Sequence, residues 1–257
     1  MHPTLLHLGR FTVPTFGALA AVGVMSALWL SLSTAALAGL DPEVLWDAGL
    51  FTVLSALILS RLLLVIENLK SFFSYPLLIL RLPSLTPLGL FLTLLAALGY
   101  LRIRRLPLLR ALDAWAPCAT LAWIFLALGH LAEGSDPGLP TTLRWSILSP
   151  TGGARLYPVA LYAAIAAALI TATVLAYLRR HPLPGRTAAL ALATTGVAQF
   201  LITFLRHPSD ALDPHPTSFT NLLDPIQWVS LGMVFSAAVI YLQTLPISQR
   251  NPEHHAF

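Results

Sequence analysis

Charged residues are scarce in this chain of 257 residues: Asp, Glu, Lys and Arg make up 10% of it, against 56% hydrophobic residues. Soluble domains carry roughly a quarter charged residues, so this composition argues against a soluble protein. Charge is nearly missing from stretches of about 20 residues, the length that a helix needs to cross a hydrocarbon core. The sequence therefore predicts a membrane protein whose connectors are too short for a soluble domain.

Lysine and cysteine are almost missing as well. The one lysine, Lys70, lies in a connector, which excludes a retinal receptor because retinal requires a lysine in the last helix. The one cysteine, Cys118, excludes an intrachain disulfide and is best explained as a small core residue. The net charge of +4 comes almost wholly from arginine. Without a basic soluble domain it indicates membrane topology, and we predict no nucleic-acid partner.

Seven apolar stretches are present, and they predict an all-α polytopic membrane protein with one integral membrane domain. Barrel strands would be half as long and would alternate in polarity. The first stretch contains Ala35, Ala36 and Ala38, which resemble a signal-peptidase site, but it is too long for a signal peptide and we expect a retained helix. The predicted spans are 12–38, 47–66, 83–101, 108–130, 156–178, 187–205 and 226–243.

Arginine is concentrated in two connectors, between spans three and four and between spans five and six. Arginine-rich connectors face the cytoplasm, so the N-terminus is predicted outside and the tail 244–257 inside. The long connectors 67–82, 131–155 and 206–225 then face the exoplasm, where we expect the function to lie. The arginines concerned are Arg102, Arg104, Arg105, Arg110, Arg179, Arg180 and Arg186.

A few polar residues lie at membrane depth, where they often serve function. Arg61, near the outer end of span two, is either a functional cation or a side chain that reaches the headgroups. Gln199, Thr203 and Arg206 are spaced by four and three residues and share one helical stripe. The stripe either lines a site or joins neighbouring helices by hydrogen bonds.

Span four ends with a base and an acid, His130 and Glu133. The pair suits proton transfer where the helix meets the outer leaflet, although a solvated helix end would have the same sequence. The spacing also suits metal ligands, but no second histidine pair accompanies it, so we predict no metal site.

Several stretches, taken in order, resemble the prolipoprotein diacylglyceryl transferases of bacterial inner membranes. Asp113, Ala116 and Pro117 reproduce the Asp-x-x-Ala-Pro element of the family, and residues 196–206 resemble a helix that ends Phe-x-x-Glu-Phe-x-Arg. Arg61 lies where the family has a Gly-Gly-Arg-x-Gly element. Further resemblances are Met1, His2, Pro3, Phe16, Gly17, Gly138, Pro140, Thr141, Trp145, Tyr157, Pro158, Leu161, Tyr162, Gln227, Trp228, Ser230 and Gly232.

The chain departs from the family at its polar motifs. The Arg-x-Gly-Asn-Phe signature falls on residues 127–131, where Gly129 fits but the Arg and Asn do not, and a His-Gly-Gly element falls on residues 87–89, which read Pro-Leu-Gly. Gln199 and Thr203 occupy the positions where the family has a paired Arg and Glu. Losing both charges together is tolerable, because losing one would strand the other in a low dielectric at a cost of about 3–5 kcal/mol.

The resemblance implies transfer of a diacylglyceryl group from phosphatidylglycerol to the lipobox cysteine of a prolipoprotein signal peptide, without a cofactor, in the bacterial cytoplasmic membrane. Such a transfer needs a base, and in this chain the expected base is His130, the only intramembrane imidazole, with Glu133 as its orienting partner. Arg61, Arg206, Gln199 and Tyr162 are the expected phosphate- and lipid-binding residues. The alternative is a catalytically degenerate member of the family that binds phospholipid or lipoprotein without turnover.

Overall fold

The structure, a computed structural model, describes residues 4–8, 11–67, 69, 87–148, 153–206 and 223–245. The described residues form seven α-helices and two short antiparallel hairpins. The helices are α1 (Thr15–Leu37), α2 (Pro42–Glu67), α3 (Pro87–Ile103), α4 (Leu108–Glu133), α5 (Val159–Leu178), α6 (Arg186–Thr203) and α7 (Pro225–Gln243). The hairpins pair β1 (Thr4–Leu8) with β2 (Phe11–Pro14) and β3 (Ile147–Leu148) with β4 (Arg155–Leu156).

The predicted all-helical architecture is confirmed, but span two was predicted to start five residues too late, since α2 begins at Pro42, and two other helix starts were predicted too early. The predicted start of span three, residues 83–86, lies outside the described residues. Span one was predicted from residue 12, but residues 11–14 belong to β2 and α1 begins after Pro14. Span five was predicted from residue 156, but Leu156 belongs to β4 and α5 begins after Pro158. Proline lacks a backbone N–H, so it ends a strand ladder and accommodates the start of a helix. Both strands lie directly before apolar helices and continue the same apolar runs, so the hydrophobic pattern did not reveal them.

Five of the described helices are long and apolar enough to cross a membrane: α1, α2, α4, α5 and α7. Their outward faces carry large apolar side chains such as Trp29, Leu169 and Phe235. Helix α3, of 17 residues, is apolar but shorter, and α6, of 18 residues, is not among the five. The chain is therefore a multi-pass membrane protein, and its seven crossings stay a prediction.

Helix α4 lies at the centre of the bundle and packs against α1, α5 and α6, while α7 packs against α6 and α2 packs against α1 and α3. Two glycines bring α1 and α4 close together. A Cβ at Gly23 would lie 2.7 Å from Phe125 Cβ, and one at Gly129 would lie 2.8 Å from Phe16 Cδ2. Small residues of this kind allow helices to approach in membranes, where close packing drives their association.

The ends of α4 and α7 are fixed by local hydrogen bonds. Gly134 ends α4 in the left-handed conformation, φ 70°, and its N–H donates to the His130 carbonyl at 2.8 Å. Asp224 begins α7 with a capping box in which the Gln227 side chain accepts the Asp224 N–H at 3.1 Å. Glycine at position 134 avoids the strain that a Cβ would introduce in the left-handed conformation. The end of α4, which carries His130, is thus held in a defined conformation.

Candidate functional site

His130 lies in the last turn of α4, partly exposed, with its ring between two neighbours. Its Nδ1 is 2.8 Å from the Ser135 hydroxyl, and the Phe16 ring of α1 lies against it with 4.8 Å between ring centroids. Glu133, the predicted orienting partner, is not hydrogen-bonded to the ring within the described residues. The Ser135 hydroxyl is the side-chain group that contacts Nδ1. Nothing in the sequence pointed to Ser135 beyond its place five residues after His130.

Arg206 follows the end of α6 and forms an ion pair with Asp136. The guanidinium Nη2 lies 2.8 Å from Asp136 Oδ2, and the two side chains are 23% and 13% exposed. Arg206 is a predicted phosphate-binding residue, whereas nothing in the sequence indicates a role for Asp136. A partner 70 residues away leaves no periodic signal, so only the fold could reveal it.

The loop after α4 is attached to the ends of α5 and α6 by backbone contacts. Gly138 forms a β-bridge with Arg206, and the Leu139 N–H donates to the Leu205 carbonyl at 2.9 Å. On the other side, the Tyr157 N–H donates to the Leu139 carbonyl at 3.0 Å. These contacts bring the end of α4 and the end of α6 together, so His130 and Arg206 belong to the same end of the bundle.

Tyr162 and Arg61 lie in different surroundings. Tyr162, in the first turn of α5, accepts a hydrogen bond from Trp145 Nε1 at 2.9 Å. Arg61 is partly exposed on α2, which has its main contacts with α1 and α3. Helix α2 therefore does not have its main contacts with α6, the helix that Arg206 follows. The role of Arg61 in phosphate binding stays a prediction.

Gln199 lines a cavity of about 400 Å³ between α4, α6 and α7. Most of its lining is apolar and includes two tryptophans, while Thr120, Thr195 and Gln199 contribute polar atoms. Cavities of this size and polarity fit small or acyl-chain ligands. Neither His130 nor Arg206 is part of the lining. The remaining lining residues are Leu112, Trp115, Ala116, Ala119, Trp123, Ala188, Ala191, Leu192 and Met233.

The predicted polar stripe of α6 divides into three environments. Gln199 faces the cavity, Thr203 is buried and donates to the Gln199 carbonyl at 2.8 Å, and Arg206 pairs with Asp136. The hydroxyl of Thr203 is therefore satisfied within its own helix. This explains how a threonine is tolerated where the family resemblance places a glutamate.

Asp113 has a structural role that sequence analysis did not assign. Its carboxylate, on α4, accepts the backbone N–H of Gly185 at 2.6 Å and that of Ala188 at 2.8 Å. It thereby caps the N-terminus of α6 from a neighbouring helix. An acid inside an otherwise apolar span was the available signal, because such residues are costly unless they have partners.

A second cavity, of about 350 Å³, adjoins Asp113 at the end of the bundle opposite His130. Arg110 and His181 line it, and His181 Nδ1 lies 3.2 Å from the Leu37 carbonyl. Across the residues that the structure describes, no group of three His, Cys, Asp or Glu side chains is arranged to hold a metal ion.

Comparison with known proteins relates the chain to one family. The family model described as prolipoprotein diacylglyceryl transferase matches residues 3–243. A phosphatidylglycerol–prolipoprotein diacylglyceryl transferase of Clostridium tetani is 23% identical over 254 residues, which cover 94% of this chain and 97% of that protein. The protein of the same description from Cupriavidus metallidurans is 25% identical over 250 residues, 93% of this chain and 91% of that protein.

A partial match concerns the transferase of Idiomarina loihiensis, which is 26% identical over 146 residues, 56% of this chain and 53% of that protein. Together with the apolar helices, these bacterial relatives point to a multi-pass protein of a bacterial inner membrane. The family match extends from the first hairpin to the end of α7 and includes every described helix. This chain belongs to the prolipoprotein diacylglyceryl transferase family.

Proposed function

We propose that this protein transfers a diacylglyceryl group from phosphatidylglycerol to the thiol of a lipobox cysteine in a prolipoprotein signal peptide. The observation that carries the proposal is the family match over residues 3–243. The apolar cavity between α4, α6 and α7 supports it, because a transferase of this kind must hold an acyl chain within the membrane.

The spacing along α6 relates the cavity to the cation. Gln199 lines the cavity, α6 ends four residues later at Thr203, about 6 Å further by helical rise, and Arg206 follows beyond that end. An acyl chain in the cavity and a phosphate at Arg206 would follow the order of a phospholipid, with its tails deeper than its headgroup. This arrangement supports Gln199 and Arg206 as lipid- and phosphate-binding residues.

The proposed reaction is a displacement at the carbon of the diacylglyceryl unit that is bonded to the phosphate oxygen. The cysteine sulfur forms a bond to that carbon, the carbon–oxygen bond to phosphate breaks, and glycerol phosphate leaves with the electron pair. The thiolate is the reactive form, so His130 accepts the thiol proton. Arg206 stabilises the charge of the departing phosphate, and Ser135 holds the His130 ring.

We also propose that all seven helices cross the membrane, with the N-terminus outside. By helical rise, α3 and α6 are about 26 Å and 27 Å long, close to the thickness of about 30 Å of the hydrocarbon core. The arginine-bearing ends of α3, α4, α5 and α6 then lie inside, and His130 and Arg206 lie outside.

The test is rescue of a bacterium depleted of its own transferase. The wild-type protein is expected to restore growth and lipidation of a reporter prolipoprotein. The His130→Ala variant is expected to lower the lipidation rate by at least about a hundredfold, the usual contribution of a general base. His181→Ala is the matched control, since His181 lies at the opposite end of the bundle. Full lipidation by His130→Ala would refute the assigned base.

The Arg206–Asp136 ion pair favours a second candidate, a family member that binds phospholipid without turnover. A cation already neutralised at 2.8 Å is a weaker anion site than a free one. In that case the purified protein would bind phosphatidylglycerol, yet its expression would leave the depleted cells unable to grow. Restored growth would exclude this candidate.

A further inference from the structure

We infer that Asp136 is a built-in competitor of the phospholipid phosphate for Arg206 and so sets how tightly the site binds anionic lipid. The inference deepens the proposed function and rests on it. Both would-be partners of Arg206, a carboxylate and a phosphate, present anionic oxygens, and the guanidinium binds either through the same N–H groups.

The carboxylate is held in place by the chain around it. Asp136 lies between Gly134, whose positive φ turns the chain out of α4, and Gly138, which forms a β-bridge with Arg206. A Cβ at Gly138 would collide with the Tyr157 carbonyl, so that contact is close. The loop is thus attached on both sides, and the ion pair follows from the backbone path.

The pair leaves part of the guanidinium unused. Nη2 donates to Asp136, whereas Nε is buried and, among the described residues, donates to none. A buried donor without an acceptor is costly, so a further anionic oxygen at Nε would be favourable. A phosphate has enough oxygens to reach Nε and to replace Asp136 at Nη2.

Competition follows from burial. The Arg206 and Asp136 side chains are 23% and 13% exposed. Because little water surrounds them, the guanidinium and the carboxylate attract each other more strongly than they would at an exposed position. An incoming phosphate must therefore displace the Asp136 carboxylate or bind beside its negative charge. Either event weakens lipid binding relative to an Arg206 without a counter-ion, and it favours ligands that carry a full phosphate charge and an acyl anchor.

The experiment measures binding of short-chain phosphatidylglycerol to the full chain in an uncharged detergent. Short-chain phosphatidylcholine and free glycerol phosphate are titrated in parallel, so that a lipid headgroup is distinguished from a soluble phosphate. Asp136→Asn keeps a hydrogen-bond acceptor for Arg206 but removes the charge. We expect it to lower the Kd for phosphatidylglycerol by at least about fivefold. Phosphatidylcholine is expected to gain less, because its choline cation is itself attracted by Asp136, and glycerol phosphate is expected to stay the weakest ligand of both proteins because it has no acyl anchor.

Two further variants assign the effect to Arg206. Arg206→Gln is expected to weaken phosphatidylglycerol binding, and Asp136→Asn added to it is expected to change nothing more. Asp47→Asn is the charge-matched control, because Asp47 is 55% exposed and pairs with Arg104 at 3.9 Å at the other end of the bundle. An equal gain from Asp47→Asn would overturn the inference.

The remaining outcomes separate the inference from the proposed function. If the wild type binds phosphatidylglycerol and Asp136→Asn binds it equally or less tightly, Asp136 orients Arg206 and the inference is wrong while lipid binding stands. If neither protein binds the lipid, both are wrong. Should Asp136→Asn fail to fold, Asp136→Ser, which also removes the charge, is measured against the same expectations.

Discussion

Asp113 illustrates how one buried acid can fix a helix to which it does not belong. It is 4% exposed, and its two oxygens accept the N–H groups of Gly185 and Ala188 at the start of α6. These donors have no partner within their own helix, because the first N–H groups of a helix point away from its carbonyls. The position of α6, and with it that of Gln199 and Arg206, depends on this carboxylate.

Replacing Asp113 by alanine is expected to lower the free energy of unfolding by about 2–4 kcal/mol, since it leaves two buried donors unsatisfied. Asp113→Asn keeps one oxygen acceptor and is expected to cost less. Unfolding of the purified protein in mild detergent, followed by circular dichroism, gives the values. Asp47→Ala, at an exposed position, should change stability by no more than about 0.5 kcal/mol. Equal losses at both positions would contradict the capping role.

The sequence singled out His130, Gln199 and Arg206 but not the side chains that contact His130 and Arg206. Helical spacing correctly placed Gln199 and Thr203 on one helix, because that spacing is a local property of the chain, whereas Arg206 lies beyond the end of the helix. The partners Ser135 and Asp136 lie on the loop after α4, and the conformation that brings Asp136 to Arg206 depends on the β-bridge with Gly138. Such contacts between distant segments leave no mark in one sequence.

At the scale of the elements, apolar length predicted the helices well and failed where a short strand continued an apolar run. Residues 12–14 were included in the first predicted span because they continue the apolar run of α1, although they belong to strand β2, which ends at Pro14. The close approach of α1 and α4 could not be predicted either. A glycine within one helix does not show which other helix will pack against it.

The two contact glycines give a sharp comparison. Gly23→Ala and Gly129→Ala would each place a Cβ within 2.8 Å of a phenylalanine in the facing helix, and each is expected to lower the free energy of unfolding by about 1–3 kcal/mol. Gly99→Ala, on α3, is the control, because within the described residues no atom outside its own helical turn would lie within 4 Å of the added Cβ, and it is expected to be neutral or stabilising by up to about 1 kcal/mol. Unfolding in mild detergent, followed by circular dichroism, gives the three values. If Gly99→Ala lowered the free energy of unfolding as much as Gly23→Ala and Gly129→Ala do, close packing would not be the cause.

At the scale of the whole molecule, the helix ends fall into two chemically different sets. One end carries Arg102, Arg110 and Arg186, and the opposite end carries His130 and the Arg206–Asp136 pair. This division follows from helices that alternate in direction, and it assigns the proposed chemistry to the face away from the arginine-rich connectors.

The orientation can be tested with fusions after Leu245. Because arginine-rich connectors are retained in the cytoplasm, a fluorescent protein fused there is expected to fluoresce and an alkaline phosphatase to be inactive. A fusion of the phosphatase within residues 139–143 is expected to be active. The reverse pattern would place His130 inside and would contradict an exoplasmic site.

The most direct test of the proposed activity is mass spectrometry of a lipobox peptide incubated with the purified protein in vesicles that contain phosphatidylglycerol. The account predicts that the cysteine gains one diacylglyceryl group, that glycerol phosphate is released in equal amount, and that His130→Ala slows both. An unmodified peptide in vesicles where the protein binds phosphatidylglycerol would contradict the transferase activity and leave a lipid-binding member of the family.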